Sequence, residues 1–560
     1  MSEKDDVAAW NERLVAAAKR GTIVDLRTGV PARQYDPATA DQWPVDRNIP
    51  ARAIREVLIG AHTDFDPRGL RIIGARITGD IDFAHITFGF PLELIRCRID
   101  RPMNLSNVSV RQLTISGSHL PSLSLDGAHI TGGLFADRIT THGDIDANDA
   151  TITGQLILND AQLHNPGQPV LTLDGAIISG ELFADRITTH GDIRALCATI
   201  RGQLILNDAQ LYNPGQPVLT LDSATITGEL VAERITTHGE VRAPGATIGG
   251  QLILDDAQLH NPGQPVLTLD QATVTGGLFA DRITTDGEVR ASGATSSGQL
   301  SFNGAHLSNP GQPALTLDQA TVTGGLFADR ITINGEVRAP GAAIGSQLRF
   351  NDAHLSNPGQ PALNLDGATI TSGLLADRIT THGEISATTA TIGGQLKFNG
   401  AHLSNPGQPA LTLDQATVTG GLLARDNTAN CGVISAFRAE GRISARRARF
   451  ENHLDLRDAK PQPCGTGHLP INLDGAVIRE LTLPTDRHIA IDLSRTKITY
   501  LNTPNDQEPQ YPVDATGWEI GDVHGHIRTN HAAATRWLAH RQGTEPSRVR
   551  CTHCYLCATG

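Results

Sequence analysis

The chain has 560 residues, a formal net charge of −13 and 39% hydrophobic residues, enough to bury a sizeable core. Only 4% are aromatic, 13 Phe, 5 Tyr and 4 Trp beside 57 Gly, so an aromatic-rich core is excluded and a narrow interior of small and aliphatic side chains is expected. No stretch reaches the roughly 20 apolar residues of a membrane-spanning helix, and the charged start Met1 to Ala8 lacks a signal peptide's apolar run, so the expected location is the cytoplasm.

Residues 1–69 read as an N-terminal helical cap. Ser2 can cap a helix carrying Val7, Trp10, Leu14 and Ala18, and Pro50 to Gly60 has Pro near its start and Gly at its end, as a second helix would.

Residues 70–500 are dominated by a repeat. Gly-Gln-Leu at Gly154 recurs at Gly202, Gly250, Gly298, Ser346 (Ser in place of Gly) and Gly394, each 48 residues on. Apolar residues come in i, i+2 pairs, such as Leu204/Leu206 and Ala209/Leu211, whose starts are 5 or 6 residues apart. Each pair is a short strand with both side chains pointing one way. Four such faces need 22 residues, so 48 residues make two coils of a right-handed quadrilateral β-helix, an all-β solenoid, with four residues to spare. Those four widen one corner into a loop, His164-Asn165-Pro166-Gly167-Gln168-Pro169 in the first full repeat, where Pro and Gly suit a projecting turn. Six loops are expected along one edge, and Asn165, Asn213, Asn261, Asn309, Asn357 and Asn405 mark them as candidate interaction residues. At ~4.8 Å per coil the six full repeats predict a rod of roughly 55 to 60 Å, whose open ends require caps.

Residues 501–560 read as a C-terminal helical segment, with Thr529 or Asn530 capping a helix that carries Ala533, Trp537 and Leu538, followed by a Cys-rich tail. Cys551, Cys554 and Cys557 make two Cys-x-x-Cys steps that share Cys554, a spacing compatible with structural zinc if His524, His526 or His540 supplies a fourth ligand. A tail without a fixed fold is the competing expectation. Cys97, Cys197, Cys431 and Cys464 are isolated, as suits a reducing compartment.

The pairs Ala161/Leu163, Ala209/Leu211 and Ala224/Ile226 on a near-five spacing resemble pentapeptide-repeat proteins, which are quadrilateral right-handed β-helices. The segments Ile49 to Leu58, Arg71 to Gly79 and Leu113 to Leu120 further resemble an actinobacterial family often given the label membrane-associated oxidoreductase. The resemblance implies a peripheral membrane or redox role.

No Gly-rich phosphate loop, Gly-x-Gly-x-x-Gly, His-Glu-x-x-His or Gly-x-Ser-x-Gly occurs, so the chain is read as non-catalytic, without a cofactor other than the possible tail zinc. The acidic pairs Asp144/Asp146 and Asp255/Asp256 are candidates for carbohydrate-cleaving carboxylates, but solvated corners are the usual explanation for Asp in turns. His142, His190, His238 and His382 precede Gly at a corner and are expected two coils apart, too far to share a metal. The steps Asp137-Arg138, Asp185-Arg186, Glu233-Arg234, Asp281-Arg282, Asp329-Arg330 and Asp377-Arg378 suggest exposed charge ladders, each pair contributing under ~1 kcal/mol. Residues 154–393 hold 23 Asp and Glu against 11 Arg, nearly all of the net charge. The residues suggest a protein-binding scaffold presenting one surface repeatedly, and the resemblance to pentapeptide-repeat proteins, some of which imitate duplex DNA and occupy topoisomerases, implies an acidic DNA mimic as the alternative. Direct nucleic-acid binding is disfavoured by the sign of the charge.

Overall fold

Pairs of inward-pointing side chains produce strands only two residues long, such as Thr151–Ile152 and Leu156–Ile157, and one such strand cannot bury its apolar face alone. In the computed structural model they stack coil upon coil into a parallel, right-handed β-solenoid with turns of about 22 residues. The structure describes all residues except 1–2, 29–34, 61, 430–431, 460–468, 486–488, 504–512, 540–549 and 552–560. The chain divides into two compact units, Met1–Gly276 and Gly277–Gly560, at a point the repeat itself does not mark.

In the first unit, α1 (Glu3–Arg20) buries Val7, Trp10, Leu14 and Ala18, and α2 (Ala51–Ile59) buries Ala53, Ile54, Val57 and Leu58 against the first coils. Both helices fall where Pro, Gly and apolar spacing place them. Arg47 sits between these elements and the first coils with its guanidinium 3.4 Å from the Trp43 ring centroid and its Nε donating to the Gly74 carbonyl at 2.8 Å.

The alternation of coil lengths is visible in one corner. The Asn159 side-chain carbonyl accepts the Asp185 N–H at 2.9 Å, 26 residues on, and Asp185 Oδ1 accepts the Asn207 N–H at 3.2 Å, 22 residues on. One repeat is therefore a 26-residue coil followed by a 22-residue coil, and the loop holds the difference. The four faces group into two parallel sheets. Thr151–Ile152 and Leu156–Ile157 lie in one, Gln162–Thr172 in the other. The ladder runs Leu156↔Leu182, Leu182↔Leu204, Leu204↔Leu230 and Leu230↔Leu252. At the tight turns between the sheets a non-glycine residue takes positive φ, for example Asp160 at 58° and Arg186 at 54°.

The second unit repeats the same ladder, Leu300↔Leu326, Leu374↔Leu396 and Leu396↔Leu422. Its interior differs in carrying Phe302, Phe350 and Phe398, all fully buried, where the first unit has Leu158, Leu206 and Leu254. Near the end of the chain, Asn530 Oδ1 accepts the Ala533 N–H at 3.0 Å and starts α4 (His531–Ala539), which follows the short helix α3 (His526–Thr529). No helix among the described residues is long and apolar enough to cross a membrane.

Candidate interaction surface

Each Asn-Pro-Gly-Gln-Pro segment forms the predicted loop, and one hydrogen bond sets its shape. Asn165 Nδ2 donates to the Pro169 carbonyl at 2.7 Å, and Asn213, Asn261, Asn309, Asn357 and Asn405 do the same to Pro217, Pro265, Pro313, Pro361 and Pro409 at 2.7 or 2.8 Å. Five of these asparagines are buried, Asn213 to Asn405, and Asn165 is half-buried. The asparagines thus tie the loops from within, while Pro, Gly and Gln at each tip are exposed. The tip glycine has positive φ, 75° at Gly167 and 79° at Gly407, with no atom within 4 Å of where a Cβ would stand.

The loop backbone closes over the glycine of the next coil. A Cβ on Gly191, whose φ is 140°, would stand 2.3 Å from the Gln168 carbonyl oxygen and 2.8 Å from that of Asn165. Gly239, Gly335, Gly383 and Gly441 meet the loops before them in the same way. This explains why a Gly follows His190, His238 and His382: no larger residue fits beneath the loop.

The histidines depart from the sequence reading. His142, His190 and His238 do lie two coils apart, but the loop-bearing coils place His164, Tyr212 and His260 in register between them: His164↔His190, His190↔Tyr212, Tyr212↔His238 and His238↔His260. The result is a column of six rings in the first unit, with successive centroids 5.9, 4.8, 5.7, 5.2 and 5.1 Å apart. The position before the loop Asn carries the signal, yet it reads as His, Tyr, His in the first three repeats and Ser in the next three, so spacing alone hides it. Burial holds the His164 imidazole below its ordinary pKa, and the neighbouring His190 and His142 add to this. His382, in the second unit, meets His354 edge-on at 5.4 Å. Among the described residues, no three His, Cys, Asp or Glu side chains are placed to hold a metal ion.

Two residues beyond His142, His190, His238 and His382, and beyond Asn334 at the equivalent place, stands an acidic side chain. Asp192 is half-buried and accepts the Thr220 hydroxyl at 3.1 Å, and burial pushes its carboxyl up to about 7. In the second unit Glu336 and Glu384 are raised for the same reason.

The charge ladders exist, with pairs between coils as well as the neighbour pairs Arg138–Asp137 and Arg234–Glu233. Arg186 engages Asp160 of the preceding coil with both oxygens, at 2.7 and 2.9 Å, while its neighbour Asp185 accepts a backbone N–H. Arg234 does likewise with Asp208 at 2.8 and 2.9 Å and also reaches Glu233 at 3.0 Å. Of the carboxylate pairs, Asp146 accepts the Thr172 hydroxyl at 3.0 Å and the Asn148 N–H at 3.2 Å, the pattern of a turn, and Asp256 occupies a positive-φ corner at 58°. In the tail, Cys551 lies on a strand, Arg550–Cys551, that pairs with Glu519–His524. Cys554, Cys557 and the zinc arrangement fall outside the described residues.

No protein-family model, no curated protein and no solved structure matches this chain. The solenoid is compatible with a pentapeptide-repeat-like β-helix. The likeness to the actinobacterial family rests on the three quoted segments alone.

Proposed function

We propose that the chain is a non-catalytic, cytoplasmic scaffold whose regularly spaced loops bind a protein partner at several places at once. The observation that carries this reading is the loop itself: six copies of one Asn-Pro-Gly-Gln-Pro segment, each held by the same Asn-to-Pro bond and each exposing the same three residues. Rigid, repeated weak contacts add through effective concentration, so affinity rises with copy number without any new contact. The DNA-mimic reading is the alternative, and it is weakened because much of the acid at the corners is paired with Arg, as at Arg186–Asp160 and Arg234–Asp208. A redox role at a membrane surface would need a cofactor or lipid contact that no motif of the sequence supplies.

The test is capture of partners from native cytosol by the full chain and by a version lacking residues 202–249, one whole repeat. The expected result is a partner held several-fold more weakly by the shortened chain. Equal retention of every partner by both would refute the scaffold, and inhibition of gyrase supercoiling would favour the mimic.

A further inference from the structure

The repeats are so alike that a site unique to one place must come from positions where a copy departs from its neighbours. One outward position, just after the inward Leu, is apolar in the first unit, with Ile157, Phe183, Ile205, Val231 and Ile253. In the second unit it becomes Arg349 and Lys397, two coils or ~10 Å apart, with Leu375 between them. Beside them runs the positive-φ corner column, Gly304, Arg330, Asp352, Arg378 and Gly400. Members of both columns, with Leu375, line an open depression of about 460 Å³.

Its charges are unevenly matched. Arg378 is engaged bidentately by Asp352 at 2.6 Å, and Arg349 pairs with Asp329 while its guanidinium lies 5.6 Å from the Phe327 ring centroid. Arg349 is thereby fixed in place, yet its Nε is shielded and has no hydrogen-bond partner. Arg330 and Lys397 have no ion-pair partner among the described residues. The reason for Arg330 is legible: a corner Arg pairs with the Asp 26 residues earlier, as Arg186 does with Asp160 and Arg378 with Asp352, and for Arg330 that residue is Gly304. Lys397 stands at the same place relative to Asp377 as Arg349 does to Asp329, but has no ion pair to it. The lining carries Arg330, Arg349, Arg378 and Lys397 against Asp329, Asp352 and Asp377, a positive balance in an otherwise acidic chain.

We propose that this depression binds a phosphate group, held by Lys397 and Arg330, which have no ion-pair partner among the described residues, beside the Arg349 guanidinium that Asp329 holds in place. Arginine forks and a lysine point charge suit a doubly charged tetrahedral oxyanion, and the volume admits a mononucleotide-sized molecule as readily as free phosphate.

The test is titration calorimetry of the full chain with inorganic phosphate, adenosine monophosphate and citrate at one fixed ionic strength, because exposed ion contacts weaken with salt. The double substitution Arg349→Ile and Lys397→Ile installs a residue that the fold already carries at Ile157 and Ile253, and is expected to weaken phosphate binding at least about tenfold. Gly304→Asp removes nothing from the depression. It reproduces Asp160 and Asp208 in the same corner conformation, where a Cβ would meet only Arg282 Cγ at 3.6 Å, and by giving Arg330 its missing partner it too is expected to weaken binding. Tighter binding of the nucleotide than of phosphate identifies a phosphomonoester, and equal binding identifies free phosphate. Citrate binding as tightly as either, affinity unchanged in the folded double variant, or no heat from phosphate and nucleotide alike overturns the proposal.

Discussion

Replacing Thr189 by Val is expected to stabilise the first unit. Thr189 is fully buried, points inward, and lies in register between Leu163 and Leu211 on the coils to either side. Its hydroxyl is shielded and has no hydrogen-bond partner, and Thr141, Thr237 and Thr381 share both properties. A buried hydroxyl that loses water and gains no partner costs about 1–3 kcal/mol. Valine has the same branched shape and strand preference, so it removes that cost without opening a cavity. The chain already contains the experiment at one position, where Ile333 occupies the equivalent place between Leu307 and Leu355. We therefore expect Thr189→Val to gain about 1–2 kcal/mol, and the triple variant at Thr141, Thr189 and Thr237 to gain about three times as much, since sites ~10 Å apart behave independently. Urea denaturation followed by circular dichroism measures this, with midpoints compared because a solenoid can unfold in stages. A folded Thr189→Val protein with an unchanged or lower midpoint would show that the hydroxyl is satisfied, by a buried water, and would refute the reasoning.

Three further outcomes are expected. Gly191→Ala should cost more than ~1 kcal/mol, because its Cβ would meet two loop carbonyls and its φ of 140° disfavours a side chain; faster proteolysis within residues 164–169 should accompany the lower urea midpoint. Asn213→Ala should cost about 1–2 kcal/mol by leaving the Pro217 carbonyl without its donor, whereas substituting the exposed Gln216 should leave stability unchanged within ~0.5 kcal/mol. For Asp192, whose carboxyl is pushed up to about 7 by burial, the unfolded chain releases the proton near pH 4 and the folded chain keeps it until near neutrality. The group's contribution to stability therefore falls as pH rises across that window and is level outside it. Asp192→Asn should remove this slope, so that the variant's midpoint relative to the parent rises between pH 4 and pH 7.5; a difference independent of pH would contradict it.

The solenoid was readable because its physics is periodic. Pairs such as Leu204/Leu206 give the face, the 5- and 6-residue spacing gives the coil, and the surplus of four residues locates the loop. The cap helices were equally plain from Trp10 and Leu14 in one and from Pro50 and Gly60 in the other. What escaped was register, because it depends on which coil lies beside which. His164 and Tyr212 belong to a loop in the sequence and to the histidine column in space. Asp185 and Arg186 are neighbours in the chain, but Arg186 serves the coil before and Asp185 the coil after. The inward Thr189 was likewise invisible, since Thr on a two-residue strand reads as outward-facing. The asparagines were found as loop markers, and their inward turn became plain only with the carbonyl they bind.

The fit of loop over glycine has a bearing on how near-identical copies avoid mispairing. Loops occur on every second coil, and the glycines that accommodate them, Gly191 and Gly239 in the first unit and Gly335 and Gly383 in the second, occur only on the coils between. A coil that slipped by one step during assembly would bring loop against loop and Thr189 against another threonine, with steric and polar costs at once. A slip by two steps meets neither obstacle. The glycines thus act as a parity key within the six regular repeats: they favour pairing in steps of 48 residues, and the residues that differ between copies, Gly304, Arg349 and Lys397 among them, distinguish one such step from the next.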